Sequence, residues 1–278
     1  MYGLKPAGTR PTLGAYVRQL WRYRQFIVAY ANGRATAAYS KSRLGRVWQI
    51  LTPLANAGVY YLIFGIIIGT RGGMENFLGY LCTGVFIFTF TQGVVNSGVK
   101  SITGQIGLVR ALHFPRAALP IAMTMTHLQT VVISLVVLMG IVIASGDPVT
   151  LNWLLLPPAV LLQLVFNLGL ALVMARVGVK VPDVAHLMPY LLRTWMYASG
   201  VLYSVELFAR HLPAWAANLL HANPLLVYIE LARMSLLDQP VLASTPTELW
   251  IMGAGWALLT CVVGFIYFWR GESEYGRG

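Results

Sequence analysis

RVWQILTPLANAGVYYLIFGIIIGTR, residues 46–71, runs from Arg46 to Arg71 with no charge between them. A hydrocarbon layer about 30 Å thick needs roughly 20 apolar helical residues to cross it, and this run is long enough. What precedes it is one-sided: Lys5, Arg10, Arg18, Arg22, Arg24, Arg34, Lys41, Arg43 and Arg46 lie before the first carboxylate, Glu75. A basic, aromatic flank followed by such a run reads as a helix entering a membrane from its cytoplasmic side. Composition agrees, with 57% apolar residues, 10% charged residues and a mean hydropathy of +0.66. No soluble domain of this length manages with so little polar surface.

A net charge of +11 would suggest nucleic acid in a soluble protein. Beside apolar runs of this length the partner is instead the anionic lipid of a cytoplasmic leaflet, and no nucleic acid is expected. Cys82 and Cys261 each sit inside an apolar run, as small hydrophobes do.

Reading outward between charges predicts six spans, near 51–69, 77–98, 119–144, 152–175, 186–204 and 249–269. With six spans, both termini share one side. That side then holds 17 basic residues against Asp183, Glu272 and Glu274. The other holds Arg71, Arg210 and Arg233 against Glu75, Asp147, Glu206, Glu230, Asp238 and Glu248. This is a strong positive-inside bias, so the expectation is an inner or plasma membrane protein with cytoplasmic termini.

Residues 211–229 are also free of Asp, Glu, Lys and Arg, but Asn223-Pro224 divides them. The reading there is two short amphipathic helices, about 206–220 and 225–237, dipping into the outer side. Residues 12–31 read as a helix along the inner interface, with Leu13, Tyr16, Val17, Leu20, Ile27, Val28 and Ala31 near one face. A plain basic topogenic flank is compatible with the same pattern. No cleavable signal peptide is expected, because the basic region before the first run is too long and no small-x-small site follows the run suitably. The fold class is thus an all-α polytopic membrane protein forming one domain, 1–278. It comprises a cytoplasmic and interface segment 1–48, a loop at 100–116 and outer helices within 206–237.

Three motifs in order carry a resemblance. Ser42, Leu44, Gly45, Trp48, Pro53 and Leu54 form a bend before the first span; Phe114-Pro115-Arg116 precedes the third; Asn223-Pro224-Leu225 joins the two outer helices. In this order and topology, the chain resembles the permease subunits of ABC transporters that export O-antigen, capsule and teichoic acid. Two departures stand out: Val181-Pro182-Asp183 replaces the Arg-Asp after span four, and Ser199-Gly200 replaces the Ser-Pro of span five. The resemblance implies a dimer of this chain with two copies of an ATP-binding ABC subunit, moving a lipid-linked polysaccharide outward. It makes residues 100–116 the ATPase-coupling segment, with Gln105, Leu108, Arg110, Phe114 and Arg116 as coupling residues. Composition alone would read that segment as an ordinary basic loop; the Phe-Pro-Arg match reverses the reading.

No nucleotide site is present, since none of Lys5, Lys41, Lys100 and Lys180 follows a glycine as a P-loop requires. ATP hydrolysis therefore falls to a separate subunit, and the chain itself is expected to be no enzyme and to need no cofactor or metal. A glycan path needs aromatic rings for the CH faces of sugars. Candidates are Tyr60, Tyr61 and Phe64 on span one, Phe86, Phe88 and Phe90 on span two, and Trp195, Tyr197 and Tyr203 on span five. The resemblance implies that spans one and five line the path; for any single ring, packing or interfacial anchoring is the competing role. Arg193 either snorkels to inner headgroups or meets the substrate's pyrophosphate. His127 reads as a hydrogen-bonded packing residue.

An ion-coupled secondary carrier would place acids near the midplane and double its helix set. All nine acids fall at or beyond the expected span ends. A membrane-embedded glycan-processing enzyme would group carboxylates or metal ligands, yet Asp147, Asp183 and Asp238 stand apart.

Overall fold

The computed structural model describes residues 12–38, 45, 47–67, 76–205, 213–238, 240–272 and 275. Every regular element among them is helical: α1 (Leu13–Arg22), α2 (Arg24–Ala37), α3 (Val47–Tyr60), α4 (Phe77–Val99), α5 (Ile106–Ala111), α6 (Ala118–Ala144), α7 (Leu156–Lys180), α8 (Val184–Ala198), α9 (Ala214–His221), α10 (Pro224–Leu236) and α11 (Pro246–Arg270). Short 3₁₀ turns precede α5 and α7, and a wider π turn, Tyr61–Ile67, extends α3.

Four of the described helices are long and apolar enough to cross a membrane: α4, α6, α7 with its lead-in from Leu151, and α11. At the first expected span, α3 and its π turn cover Val47–Ile67. At the fifth, α8 is only 15 residues long, about 22 Å at 1.5 Å per residue. It ends at Ala198 rather than near 204, because Gly200 turns the chain at φ +60°, a conformation that costs a residue with a Cβ. Residues 12–31 likewise form two helices, not one, with a break at Tyr23.

Helix α4 is the hub. Its residues Tyr80, Leu81, Phe86, Ile87, Phe88, Phe90 and Val94 are all buried, with α6, α7, α10 and α8 packed around them. Midway, the buried Thr91 Oγ1 donates to Asn167 Oδ1 (2.9 Å), while Gln163 Nε2 donates to the Ile87 carbonyl (2.9 Å) and Thr91 Oγ1 (3.1 Å). These bonds join α4 to α7 where no water competes.

Helices α7 and α11 approach until their backbones touch. A Cβ at Gly169 would collide with the backbone of Thr260 and Cys261, and one at Gly264 with Gly169 itself. Small residues permit such crossings, and in lipid close packing is the main source of helix association.

A second apolar cluster lies at the end of the bundle rich in basic residues. There Tyr16 and Leu20 of α1, and Ile27 and Ala31 of α2, bury against Phe114, Ala118, Ala122, Leu172 and Phe268. Trp21, Val17 and Val28 stay exposed. Helix α2 is fastened along α6 by Thr126 Oγ1 donating to the Ala31 carbonyl (3.3 Å) and by Gln129 Nε2 donating to Asn32 Oδ1 (2.6 Å). The bend before α3 falls at Gly45, with φ +50°. Ser42 and Leu44 of that motif lie outside the described residues.

Candidate functional site

The loop from Lys100 to Arg116 folds as a short 3₁₀ turn followed by α5. One side is anchored by buried Val109, half-buried Leu108 and buried Phe114, whose ring lies 5.1 Å from that of Phe26. Tyr23 Oη donates to the His113 carbonyl (3.0 Å). The other side presents Ile106, Gly107, Arg110, Ala111 and Leu112 outward, with half-buried Gln105 at their edge. Of the five residues expected to couple, Gln105 and Arg110 thus face out, Leu108 straddles, and Phe114 and Arg116 turn inward.

Arg116 turns inward because the chain after α11 meets it there. Its Nη1 donates to the Glu272 carbonyl (2.7 Å) and lies 3.9 Å from Glu272 Oε1, which accepts from the Arg116 N–H (3.1 Å). Tyr16 Oη donates to Glu272 Oε2 (2.7 Å) and accepts from the Ala117 N–H (3.1 Å). Glu272 is only 7% exposed. Burial pushes its carboxyl above the ordinary range, partly opposed by the Tyr16 hydroxyl and by Arg116. Burial, then the nearby carboxylate, pushes the Tyr16 phenol well up. This clasp ties helix α1, the Phe-Pro-Arg turn and the tail into one body. Sequence reading counted Glu272 only as a charge; the one hint was Tyr16 sharing a helical stripe with Leu20.

At the opposite end, Asn223 explains the Asn-Pro-Leu motif. Its Oδ1 accepts from the Leu225 N–H (3.1 Å) and from Trp195 Nε1 (3.0 Å). Its Nδ2 donates to the Ala198 carbonyl (2.9 Å) and Ser199 Oγ (3.1 Å). One side chain thereby caps the start of α10 and the end of α8, with Pro224 at the first helical position, where no N–H is missed.

Arg233, expected on the short outer helix 225–237 and counted among the outer-side charges, is fully buried on α10. Its Nε donates to the Tyr80 carbonyl (3.3 Å), and its Nη2 donates to the carbonyls of Gly200 (3.0 Å) and Val201 (3.2 Å). The guanidinium lies over the Tyr80 ring, 3.3 Å from its centroid. Glu230, one turn earlier, is buried too and accepts from the Ala243 N–H (3.0 Å). No sequence pattern marked either residue.

The candidate aromatic residues part company. Tyr60 Oη contacts Met196 Sδ (3.7 Å), and Tyr197 and Arg193 of α8 lie within electrostatic reach of the Tyr60 phenol. Tyr203 Oη donates to the Tyr197 carbonyl (2.8 Å). Tyr60, Tyr197, Tyr203 and Arg193 therefore share one region between α3 and α8, with Tyr197 and Arg193 exposed. Trp195 turns instead to Asn223. Phe86, Phe88 and Phe90 are buried within the bundle, away from the Tyr60–Tyr197 region, though Phe86 and Phe90 border a separate cleft between α3, α4 and α6. The side chain of Phe64 lies outside the described residues. His127 Nε2 pairs with Ser97 Oγ (2.9 Å), as expected of a packing histidine. Among the described residues no cluster of His, Cys, Asp or Glu has the grouping of a metal site.

Residues 25–237 match the family model described as ABC-2 type transporter. The chain belongs to the ABC-2 type transporter family. The match runs from the start of α2 to the residue after α10, and so takes in the loop 100–116, the α8 turn and the Asn223 cap. Three curated relatives give the neighbourhood of this ABC-2 family member. It is 30% identical to the O-antigen export system permease protein RfbA of Myxococcus xanthus over 190 residues, 68% of this chain and 72% of the relative. It is 21% identical to a protein of the same name from Klebsiella pneumoniae over 182 residues, 65% and 70% of the two chains. It is 26% identical to the polysialic acid transport protein KpsM of Escherichia coli over 196 residues, 70% and 74%.

Proposed function

We propose that this ABC-2 subunit is the membrane-spanning half of an ATP-driven exporter. It carries a lipid-linked polysaccharide from the cytoplasmic to the outer side of the inner or plasma membrane, as a homodimer with two copies of a separate ATP-binding subunit. The names of the relatives support the substrate class, and the basic bias of one end supports a cytoplasmic assignment for that end. In this reading α3 and α8 add to the four long helices to make six spans. Helices α9 and α10, with the preceding residues from 206, are the outer gate.

The observation that carries the mechanism is the seating of α5. Force from an ATPase reaches the membrane only through a contact that does not yield. Phe114, Val109 and Arg116 fix α5 to the bundle, while Ile106 and Arg110 remain free to enter a groove on the partner. Phe114 and Arg116 are therefore positioning residues for coupling, and Gln105 and Arg110 are contact residues. The glycan path is assigned to the region of Tyr60, Tyr197 and Tyr203, and Phe64 stays a candidate from its sequence position alone. Arg193 lies one turn before Tyr197, placed for a pyrophosphate or a lipid headgroup.

Co-purification with the ATPase encoded beside this chain tests the assignment. Wild type captures a stoichiometric ATPase, and Arg110→Glu loses it while the melting temperature holds. Absence of any ATPase under mild detergents refutes the reading.

A further inference from the structure

Between α3, α4 and α6 the protein keeps a partly open cleft of about 260 Å³. Its walls include Gln92, Asn96, His127 and Thr130 beside the rings of Trp48 and Phe90. It lies alongside two helices that are long and apolar enough to span a membrane. An amide facing hydrocarbon there goes unsatisfied, which costs several kcal/mol per group. Neither Gln92 nor Asn96 makes a side-chain hydrogen bond to another described residue. The back wall is rigid: Ser97 holds His127, and a Cβ at Gly93 would stand 2.6 Å from His127 Nδ1.

Among the described residues the lining carries no Lys, Arg, Asp or Glu. Arg34 of α2 reaches His127 electrostatically without being part of it. Neutral amides and hydroxyls beside flat rings suit an uncharged, hydroxyl-rich ligand: rings take its CH faces and amides its hydroxyls. An acyl chain would leave the amides unpaired. The volume equals roughly nine waters at about 30 Å³ each and falls just under the usual range for small-molecule pockets, about 300–1,000 Å³. That is room for a single sugar unit, not for a chain.

We infer that this cleft is a binding site for one uncharged sugar residue, separate from the Tyr60–Tyr197 region. Insofar as the sugar is part of a lipid-linked glycan, the inference rests on the export reading above. The cleft then recognises a sugar within the membrane from the side of α6.

Saturation-transfer NMR on the full chain in nanodiscs of sugar-free lipid tests it. The probes are the methyl glycosides of glucose, galactose, mannose and N-acetylglucosamine, with inorganic pyrophosphate as the anionic comparison. At least one glycoside shows transfer, and Gln92→Leu and Asn96→Leu each weaken it about tenfold, the order expected from losing a buried hydrogen bond. Thr130→Val is the second variant should either leucine lower the melting temperature, and Leu258→Ala, on the exposed face of α11, leaves transfer unchanged. No transfer from any glycoside (a cleft holding water alone), transfer from pyrophosphate only, or transfer undiminished in all the cleft variants overturns the inference. Failure here with ATPase capture intact sinks the cleft alone. Sugar binding without ATPase capture sinks the export reading alone.

Discussion

Replacing Arg233 with alanine removes the group that closes the turn after α8. Three carbonyls, from Tyr80, Gly200 and Val201, lose their donor, and the Tyr80 ring loses its cation. Hydrogen bonds from a charged donor contribute about 1.5–3 kcal/mol each, and a desolvated cation over a ring about 2. Burying the charge costs several kcal/mol in return, so the net loss on truncating one side of such a network is about 3–5 kcal/mol. No neighbour is placed to refill the space, since Gly84 presses on the guanidinium with no side chain of its own. At about 2–4 °C per kcal/mol, as for soluble domains of 150–250 residues, the melting temperature in detergent falls by roughly 6–20 °C. Arg233→Lys keeps the charge but not the fork that reaches both α4 and the turn, and it falls between wild type and alanine. Proteolysis within residues 199–205 rises in the same order. An Arg233→Ala protein that melts within about 2 °C of wild type refutes the closure, as does a lysine variant indistinguishable from wild type.

Asn223→Ala strips two helix ends at once and lowers stability by about 2–4 kcal/mol, read by thermal unfolding; Asn223→Asp, which keeps the acceptor but not the donor, recovers about half. The Glu272 clasp sets a pH dependence. Its carboxyl is held above the ordinary value in the folded protein, so the stabilisation is fully present below the unfolded pKa, about 4.3, and is lost as pH rises through the folded value. Melting temperatures from pH 4 upward therefore decline with a slope that Glu272→Gln flattens; identical slopes in the two proteins dispose of the argument.

Helix positions were legible where charge fences them. Expected spans at 77–98, 119–144 and 249–269 fall within three residues of α4, α6 and α11 at each end, because a buried charge is costly whatever it packs against. Where the decision depends on a partner, sequence was silent. The turn that Gly200 allows after α8 is held by Arg233 reaching from α10, and beyond the break at Tyr23 helix α2 lies along α6. Glu230, Arg233 and Glu272 were counted as surface charges, yet all three are buried among donors and acceptors brought from remote segments. The candidate coupling residues show the same division. A motif marks Phe114 and Arg116 as important, but only three-dimensional packing reveals that they point into the protein while Arg110 points away.

The meeting of Gly169 with Gly264 limits how this subunit moves. Two helices in backbone contact neither slide nor rotate past one another without a collision at every step, so α7 and α11 travel as one strut. Arg176 of α7, bonded to the Tyr267 carbonyl and stacked on its ring, pins the same pair one end further along. By contrast, no described side chain of α3 is fully buried, and α8 buries only Met188, Leu192 and Met196. Any widening of this subunit falls to the two loosely held helices, swinging against a frame that keeps its shape.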